Sequence, residues 1–263
     1  MIRAFNTCAT GMAAQQAVLD NTANNLANLN TTGFKSSTVE FQDLLYATIR
    51  QPGATSAQGQ QLPTGLQIGT GVKVAGTARL FTQGSLQTTG NSLNMAINGN
   101  GFFQITNPAG GFFYTRDGTF QLNANNQLVT ADGYSVSPAM TFPSNTQSIT
   151  VGTDGTISVT TATSPTTSTQ VGQLTITNFP NPAGLNAQGN NLYTQSPASG
   201  QALSTTPGQN GTGLIQGGAL EQSNVDVVQQ MVNLIQAQRA YEFNTKAIQA
   251  ADQMLASSTS IIR

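Results

Sequence analysis

The stretch 19–35, LDNTANNLANLNTTGFK, has the pattern of a helix end followed by a turn, yet five of its residues are asparagine. The four asparagines in the helical part together forgo about 2–3 kcal/mol of helix propensity relative to alanine. The stretch also lacks the lysine and glutamate pairs with which a surface helix usually meets water. We therefore predict that packing against protein, rather than solvation, stabilises this helix.

The residues around this stretch repeat every three and four positions, which is the spacing of a coiled-coil seam. The N-terminal seam consists of Ile2, Phe5, Ala9, Met12, Gln16, Leu19, Ala23 and Leu26. The C-terminal seam runs every seven residues through Val227, Leu234, Tyr241, Ile248, Leu255 and Ile262, with Met231, Gln238, Thr245, Asp252 and Thr259 between them. We predict an N-terminal helix at residues 1–35 and a C-terminal helix at residues 221–263, which pair as a stalk. The second helix is predicted to begin at Ser223 or Asn224, with Asp226 in its first turn.

The centre of the chain alternates apolar and polar residues, which indicates β-strands. The alternating runs are FFQIT, FFYT, FQLN, QLVT, ISVT and QLTIT, and the turn signals between them are NPAGG, Asp117-Gly118, Asn125-Asn126, Asp132-Gly133 and Asp154-Gly155. Glycine after aspartate supplies the positive φ that hairpin turns require. The predicted fold class is α+β: paired N- and C-terminal coiled-coil helices forming a stalk, an extended linker at 36–75, and a central antiparallel all-β domain at 76–220.

The composition excludes several classes of function. Charged residues make up 7% of the 263 residues and the formal net charge is −1, so the chain has no basic surface for nucleic acid or an anionic membrane. The N-terminus shows no signal-peptide pattern and no run of 18 apolar residues occurs, which predicts neither signal-directed secretion nor a membrane span. Such an uncharged surface favours association with other protein.

Residues for catalysis or metal binding are scarce. The chain has no histidine and one cysteine, Cys8, which is more typical of a small apolar helix residue than of a reactive thiol. Asp117, Asp132 and Asp154 each precede glycine, so turns explain them. We predict that the chain is not an enzyme and has neither a cofactor nor a metal site.

The face of the first helix turned away from its seam is also nearly uncharged. It holds Arg3, Ala4, Thr7, Thr10, Gly11, Ala14, Ala17, Val18, Asn21, Asn24, Asn25 and Asn28. A helix that is small or uncharged all round is surrounded by protein. The asparagine amides are therefore predicted to bond to neighbouring copies of the chain. The alternative is that they mark a frayed helix end before the turn at Gly33.

Both terminal stretches resemble the signatures of bacterial flagellar rod and hook subunits. The N-terminal one is LDNTANNLANLNTTGFK, and the C-terminal one is SNVDVVQQMVNLIQAQRAYEFNTKAIQAADQML. The central motifs GNGFFQI, YTRDGTFQLN and NQLVTADGY are similar to the β-domain motifs of the same family. Within it, residues 43–105 and the chain length are most similar to the distal rod branch.

The resemblance implies a structural subunit that leaves the cell interior through the flagellar type III export system without a cleavable signal. It would polymerise helically into a rigid hollow drive shaft, the periplasm-spanning distal rod, which encloses the export channel and transmits motor torque to the hook. The implied partners are further copies, proximal rod subunits, the hook subunit or hook-end junction, the rod cap and the surrounding bushing rings. A stretch at about 46–65 would stiffen the rod.

The resemblance, together with the seams, assigns two sets of residues. The predicted polymer interface consists of Asn21, Asn24, Asn25, Leu26, Asn28, Gly33, Phe34, Lys35, Val227, Met231, Leu234, Gln238, Arg239, Tyr241, Glu242, Ile248 and Leu255. The predicted rod-stiffening stretch includes Tyr46, Arg50, Pro52, Gln60 and Pro63. Two alternatives stay open from the sequence: a proximal rod or hook paralogue, and a secreted β-rich adhesin with a helical oligomerisation stalk.

Overall fold

A computed structural model describes residues 2–53, 63–108, 110–162 and 164–261. The chain divides into two compact units. Unit 1 comprises residues 1–27, 37–78 and 226–263, and unit 2 comprises residues 28–36 and 79–225. Unit 1 therefore contains both ends of the chain, as the terminal seams predict.

Two long helices dominate unit 1: α1 at Ile2–Ala27 and α2 at Val227–Ile261. Asn25 of α1 bonds to Gln230 of α2. A Cβ on Gly11 of α1 would lie 3.2 Å from Asn244 of α2. The position on α2 rises as the position on α1 falls, so the two helices run antiparallel. The prediction of a helix near each terminus is confirmed, whereas coiled-coil geometry between them stays a prediction.

Half of each predicted seam faces the interior of unit 1. The inward positions include Phe5, Met12, Leu19 and Leu26 on α1, and Leu234, Ile248 and Leu255 on α2. The other half of each seam was placed one residue too late. The inward-facing residues there are Cys8, Gln15 and Thr22 on α1 and Gln230, Ala237, Asn244 and Ala251 on α2. Ala9, Gln16, Ala23, Gln238 and Asp252 are exposed instead. The sequence did not show which residue of each neighbouring pair, such as Cys8 and Ala9, faces inwards, because both residues are small or uncharged.

The helix boundaries also differ from the prediction. α1 ends at Ala27 rather than near Lys35. α2 begins three residues after Asn224, and its N-cap is Asp226, whose Oδ1 accepts the amide protons of Val228 and Gln229 at 2.9 and 3.3 Å. An aspartate at this position satisfies amides that no helical carbonyl reaches.

Strands occupy much of the range predicted as an extended linker. They are β1 (Ser37–Asp43), β2 (Tyr46–Arg50), β3 (Leu66–Gly69) and β4 (Val72–Arg79). β1 pairs with β4, and β2 pairs antiparallel with β3 so that Tyr46 lies opposite Gly69. Because almost every side chain of β2 and β3 is exposed, these strands lack the one-sided apolar pattern that identifies a strand from sequence.

Unit 2 is built of β-strands. They are β5 (Leu86–Thr88), β6 (Met95–Asn98), β7 (Phe102–Thr106), β8 (Phe112–Thr115), β9 (Phe120–Leu122), β10 (Leu128–Thr130), β11 (Thr146–Val151), β12 (Thr156–Thr161), β13 (Ser164–Gln173), β14 (Ile176–Asn178), β15 (Asn186–Gly189), β16 (Leu192–Thr194), β17 (Leu203–Thr205), β18 (Leu214–Gly217) and β19 (Ala219–Glu221). The largest sheet has the order β15-β16-β8-β7-β14-β17, and each pairing in it is antiparallel. A second sheet has the order β11-β12-β13. The predicted central antiparallel β domain is confirmed.

Three of the predicted turns connect antiparallel neighbours. The residues 107–111 join β7 to β8, Asn125-Asn126 joins β9 to β10, and Asp154-Gly155 joins β11 to β12. The hairpin predicted at Asp117-Gly118 is wrong, because β8 and β9 belong to different sheets. A Cβ on Gly118 would lie 1.5 Å from the carbonyl oxygen of Met95, so close packing, not a positive φ, requires glycine there.

The interior of unit 2 contains two apolar clusters. The larger one joins Met95, Ile97, Phe103, Phe120, Leu128, Val136, Met140, Phe142, Ile157, Val159, Leu174, Ile176 and Ile215. The smaller one consists of Phe102, Tyr114, Phe179, Leu185 and Tyr193, with Phe81 packed against it. Edge-to-face contacts order the aromatic rings, as between Phe103 and Phe120 at 5.2 Å. These clusters stabilise unit 2 from within its own chain.

Candidate assembly surface

An apolar strip lies on the exposed face of α2. It consists of Val228, Met231, Val232 and Ile235, which we call the α2 strip. The spacing of three, four and seven places these residues on one side of the helix. Their exposed fractions run from 41% at Val232 to 71% at Val228. A contiguous apolar face of this kind is typical of a surface that another protein covers.

The exposed side of α1 is small and almost free of charge. It includes Ala4, Ala9, Ala13, Gln16, Ala23 and Asn24. Arg3 and Asp20 are the charged residues of this helix. A solvated helix would carry several more charges, whereas short uncharged side chains allow another backbone to approach closely. Unit 1 therefore exposes two helical faces suited to contact with protein.

A third apolar surface lies on the β2–β3 hairpin and the residue before it. Its exposed side chains are Leu45, Tyr46, Ile49, Leu66 and Ile68, and Leu45 is 89% exposed. Tyr46 is one of the residues named for the predicted rod-stiffening stretch, and Ile49 lies within its bounds at about 46–65, whereas Leu45, Leu66 and Ile68 lie outside them. In β2 the apolar residues Tyr46 and Ile49 lie on opposite faces of the strand, a pattern that sequence periodicity does not separate from a buried strand.

Two of the opening asparagines bond to their own chain. The amide Nδ2 of Asn25 donates to the carbonyl oxygen of Ser37 at 2.9 Å, and its Oδ1 accepts the backbone N–H of Ser37 at 3.0 Å. Asn21 donates to the same carbonyl oxygen at 2.6 Å. These amides hold the start of β1 against α1, which offsets the cost of asparagine in a helix. Asn21 and Asn25 are therefore turned towards the interior of unit 1, whereas Asn24 is exposed.

Replacing Asn25 with alanine is expected to lower the free energy of unfolding of unit 1 by about 1–3 kcal/mol, because it leaves the N–H and carbonyl of Ser37 without these bonds. Thermal unfolding followed by the far-ultraviolet circular dichroism of the helices measures the change. Asn6→Ala, at an exposed position of the same helix, is the matched control. Equal effects of the two substitutions would contradict the assigned role of Asn25.

The last three residues of the N-terminal motif lie inside unit 2. Gly33, Phe34 and Lys35 are buried, and the Lys35 ammonium lies 2.6 Å from Oε1 of Glu221. Burial lowers the pKa of Lys35 below its ordinary value of 10.5, a shift that the attraction of Glu221 only partly opposes. The predicted contact of these three residues with other copies stays a prediction, but in this structure their partners belong to their own chain.

The other predicted interface residues divide by exposure. Leu26, Asn28, Val227, Leu234, Ile248 and Leu255 are half-buried within the chain, whereas Met231, Gln238, Arg239, Tyr241 and Glu242 are exposed on α2. Arg239 and Glu242 form an exposed ion pair at 3.0 Å. In the stiffening stretch, Tyr46, Arg50, Pro52 and Pro63 are exposed, and Gln60 lies outside the described residues.

The described part of the chain gives no support for a metal site or a membrane-spanning helix. Within the ranges that the structure describes, no cluster of three or more histidine, cysteine, aspartate or glutamate side chains could hold a metal ion. Neither of the described helices combines the length and hydrophobicity needed to cross a membrane. What the described residues offer is surface for contact with protein.

Comparison with known proteins identifies the class. Residues 5–35 match the family described as flagella basal body rod protein, residues 96–159 match the flagellar hook protein FlgE/F/G D1 domain, and residues 216–261 match the flagellar basal body rod FlgEFG protein C-terminal family. The flagellar basal-body rod protein FlgG of Borreliella burgdorferi is 45% identical over 100% of both chains. The chain belongs to the flagellar basal-body rod protein family.

Two further members of the rod family support this placement. The flagellar basal-body rod protein FlgG of Buchnera aphidicola subsp. Schizaphis graminum is 49% identical over 94% of each chain, and that of Caulobacter vibrioides is 44% identical over 99% of each. Rod proteins of this family are structural, so the chain is not an enzyme. Membership also decides against the secreted adhesin that the sequence left open.

Proposed function

We propose that the chain is a structural subunit of the bacterial flagellar distal rod. Copies polymerise helically into a rigid hollow drive shaft that encloses the export channel and transmits motor torque to the hook. The single observation that carries the proposal is the α2 strip, an apolar helical face left uncovered in a chain of the rod family. The strip needs a protein to cover it, and a second copy is the partner that a rod always supplies.

The magnitude of the burial supports polymerisation. Full burial of a valine, isoleucine or methionine side chain contributes about 1.5–3 kcal/mol, so covering the exposed parts of the four side chains in the α2 strip contributes roughly 4 kcal/mol per copy. The exposed side of α1 adds area without any charge to desolvate beyond Arg3 and Asp20. A helical polymer repeats this gain at every subunit.

The wider setting follows from the proposed role. The paired terminal helices line the inner tube of the rod. Along the axis the rod contacts proximal rod subunits at one end, the hook or hook-end junction at the other, and the rod cap during growth, while bushing rings surround it. The subunit is exported through the flagellar type III system without a cleavable signal, and the finished rod spans the periplasm.

The stretch at about 46–65 is proposed to stiffen the rod by bridging adjacent copies. The exposed apolar side chains of the β2–β3 hairpin support this proposal, since Ile49, Leu66 and Ile68 have no cover within the described residues of unit 1. Arg50, Pro52 and Pro63 flank the segment of the stretch that lies outside the described residues. Contacts made by this hairpin would resist sliding between copies when the shaft bends.

Complementation tests the proposed function. The gene for the chain is expressed in a motile bacterium whose own distal rod gene has been deleted, and basal bodies are isolated for electron microscopy. Straight distal rods of normal length and restored swimming are expected. Basal bodies that stop at the proximal rod, although the chain is stably produced, would overturn the proposal.

Deleting residues 46–65 from the complementing gene is expected to give filaments that still polymerise but bend. The reason is that the terminal helices remain while the proposed bridge between copies is lost. Curvature of the filaments in electron micrographs measures the change, and the full-length chain is the control. Deleted filaments as straight as the control would remove the stiffening role without touching the assignment of the subunit.

A further inference from the structure

Two connecting segments meet inside unit 2. Residues 28–36, the N-connector, follow α1 in the chain, and residues 221–225, the C-connector, precede α2. The backbone N–H of Gly33 donates to the carbonyl oxygen of Glu221 at 2.8 Å. Asn224 adds a second tie, because its Oδ1 accepts the backbone N–H of Ser36 at 2.7 Å. Segments that are far apart along the chain are thus joined directly.

The fit between the connectors depends on one glycine. Gly33 has φ +68°, and a Cβ at this position would lie 2.7 Å from the backbone of Arg116 and Asp117. A side chain is excluded by both the backbone conformation and the space. The N-connector is therefore shaped to lie against the turn that carries Arg116.

A buried ion cluster holds the two connectors together. Oε1 of Glu221 accepts hydrogen bonds from Lys35 Nζ at 2.6 Å and from the backbone N–H of Gly84 at 3.0 Å. Lys35 also donates to the carbonyl oxygen of Thr82 at 2.7 Å. Nη1 of Arg116 lies 3.6 Å from Oε2 of Glu221. The side chains of Lys35 and Glu221 are fully buried, and that of Arg116 is 3% exposed.

The charges in this cluster do not balance. Two cations, Lys35 and Arg116, share the single carboxylate of Glu221. Removing one cation leaves a neutral pair, whereas removing the anion leaves two buried cations facing each other. Because an unpaired buried charge is strongly unfavourable, Glu221 is the member on which the cluster depends most.

Asn224 fixes the C-connector to a third segment. Its Nδ2 donates to the carbonyl oxygen of Leu80 at 2.7 Å and to the hydroxyl of Thr82 at 2.9 Å. The N-connector reaches the same place, since the N–H of Leu80 donates to the carbonyl oxygen of Ser36 at 2.9 Å. The segment at residues 80–82 is therefore held between the two connectors.

We propose that the N-connector and the C-connector form the two halves of an intramolecular latch. Lys35 of the N-connector forms a buried ion pair with Glu221 of the C-connector, and Arg116 is the third charged residue of the cluster. Asn224 adds a hydrogen bond between the two connectors. The role of Gly33, Phe34 and Lys35 is then closure of unit 2 rather than contact with other copies. The latch fixes the points at which the chain passes into unit 1, and it can be measured on unassembled protein, independently of the rod.

Hydrogen exchange on the full-length monomer tests the latch. The reporters are the backbone amides of Gly33, Ser36 and Gly84, each of which bonds to a group of the C-connector, and the reference is the amides of β7 in the core. Glu221→Gln keeps the shape and removes the charge, so it is expected to speed exchange at the reporters by at least about tenfold relative to β7. Glu242→Gln, which removes an exposed charge, is the matched control and is expected to change nothing.

Two further variants keep the test decisive if Glu221→Gln unfolds the whole of unit 2. Lys35→Met leaves the neutral Arg116–Glu221 pair, so it is expected to speed the reporters less than Glu221→Gln does, again without affecting β7. The double variant Lys35→Met with Glu221→Gln removes one of the two facing cations, and we expect it to be no less protected than Glu221→Gln alone. Unchanged reporters, a uniform rise across all amides in Lys35→Met, or strictly additive effects would overturn the latch.

Discussion

Replacing Ile235 with aspartate is expected to raise the protein concentration needed for polymerisation by at least about 100-fold, because a carboxylate buried without a partner costs several kcal/mol and each 1.4 kcal/mol is a factor of ten. Ile235 is 56% exposed in the α2 strip, so the monomer can accept the charge in water. Sedimentation of purified, seeded protein over a range of concentrations gives the threshold.

Gln236→Asp provides the matched control for this substitution. Gln236 is the next residue of the same helix, exposed and polar, and it lies outside the α2 strip. The same charge placed there is expected to raise the threshold by a much smaller factor. Circular dichroism must show that both monomers have equal helix content. If Ile235→Asp polymerised at the concentration of the unmodified chain, the α2 strip would have no part in assembly.

The largest effect on stability is expected in the core of unit 2. Phe103→Ala should lower the free energy of unfolding by about 3–5 kcal/mol, since it deletes a fully buried ring and leaves a cavity. Phe103 makes an edge-to-face contact with Phe120, and none of its surface is exposed. Urea denaturation followed by tyrosine fluorescence measures the loss, because all of the tyrosines that are buried lie in unit 2.

Phe112→Ala is the control, since it deletes the same side chain from the neighbouring strand. Phe112 on β8 lies opposite Thr106 on β7 and is 46% exposed. Its loss is expected to cost less than about 1 kcal/mol, as is usual for surface substitutions. Comparable losses from the two variants would mean that the interior of unit 2 is not organised around Phe103.

The fold could be predicted where the spacing of apolar residues fitted a helix and not a strand, or a strand and not a helix. The heptads required a helix near each terminus, and alternating runs such as FFQIT required strands, because a residue pattern buries one face in only one of these conformations. β2 and β3 could not be found in this way. Their side chains face outwards on both sides, so the pattern that burial imprints on a sequence was absent.

The assembly surface could be predicted only in part. An uncharged helix signalled that protein covers it, but the sequence did not say which protein covers which face. Asn25 illustrates the difficulty, because an amide satisfied by Ser37 of the same chain leaves the same mark on the sequence as one satisfied by another copy. Ile235 belongs to neither predicted set of residues, because it lies off the predicted seam, one residue after Leu234.

The ion cluster lay beyond the reach of sequence patterns. Lys35 and Glu221 are separated by 186 residues, and Arg116 comes from a third segment. No local rule connects three charged residues so far apart. A signal existed all the same, because no other charged residue occurs between Asp154 and the lone carboxylate of Glu221.

That separation sets the order in which the molecule can be completed. A contact between residues so distant is slow to form, because the long intervening loop must close first. A polypeptide delivered from its N-terminus can bring Lys35 and Glu221 together only after nearly all of its length has emerged.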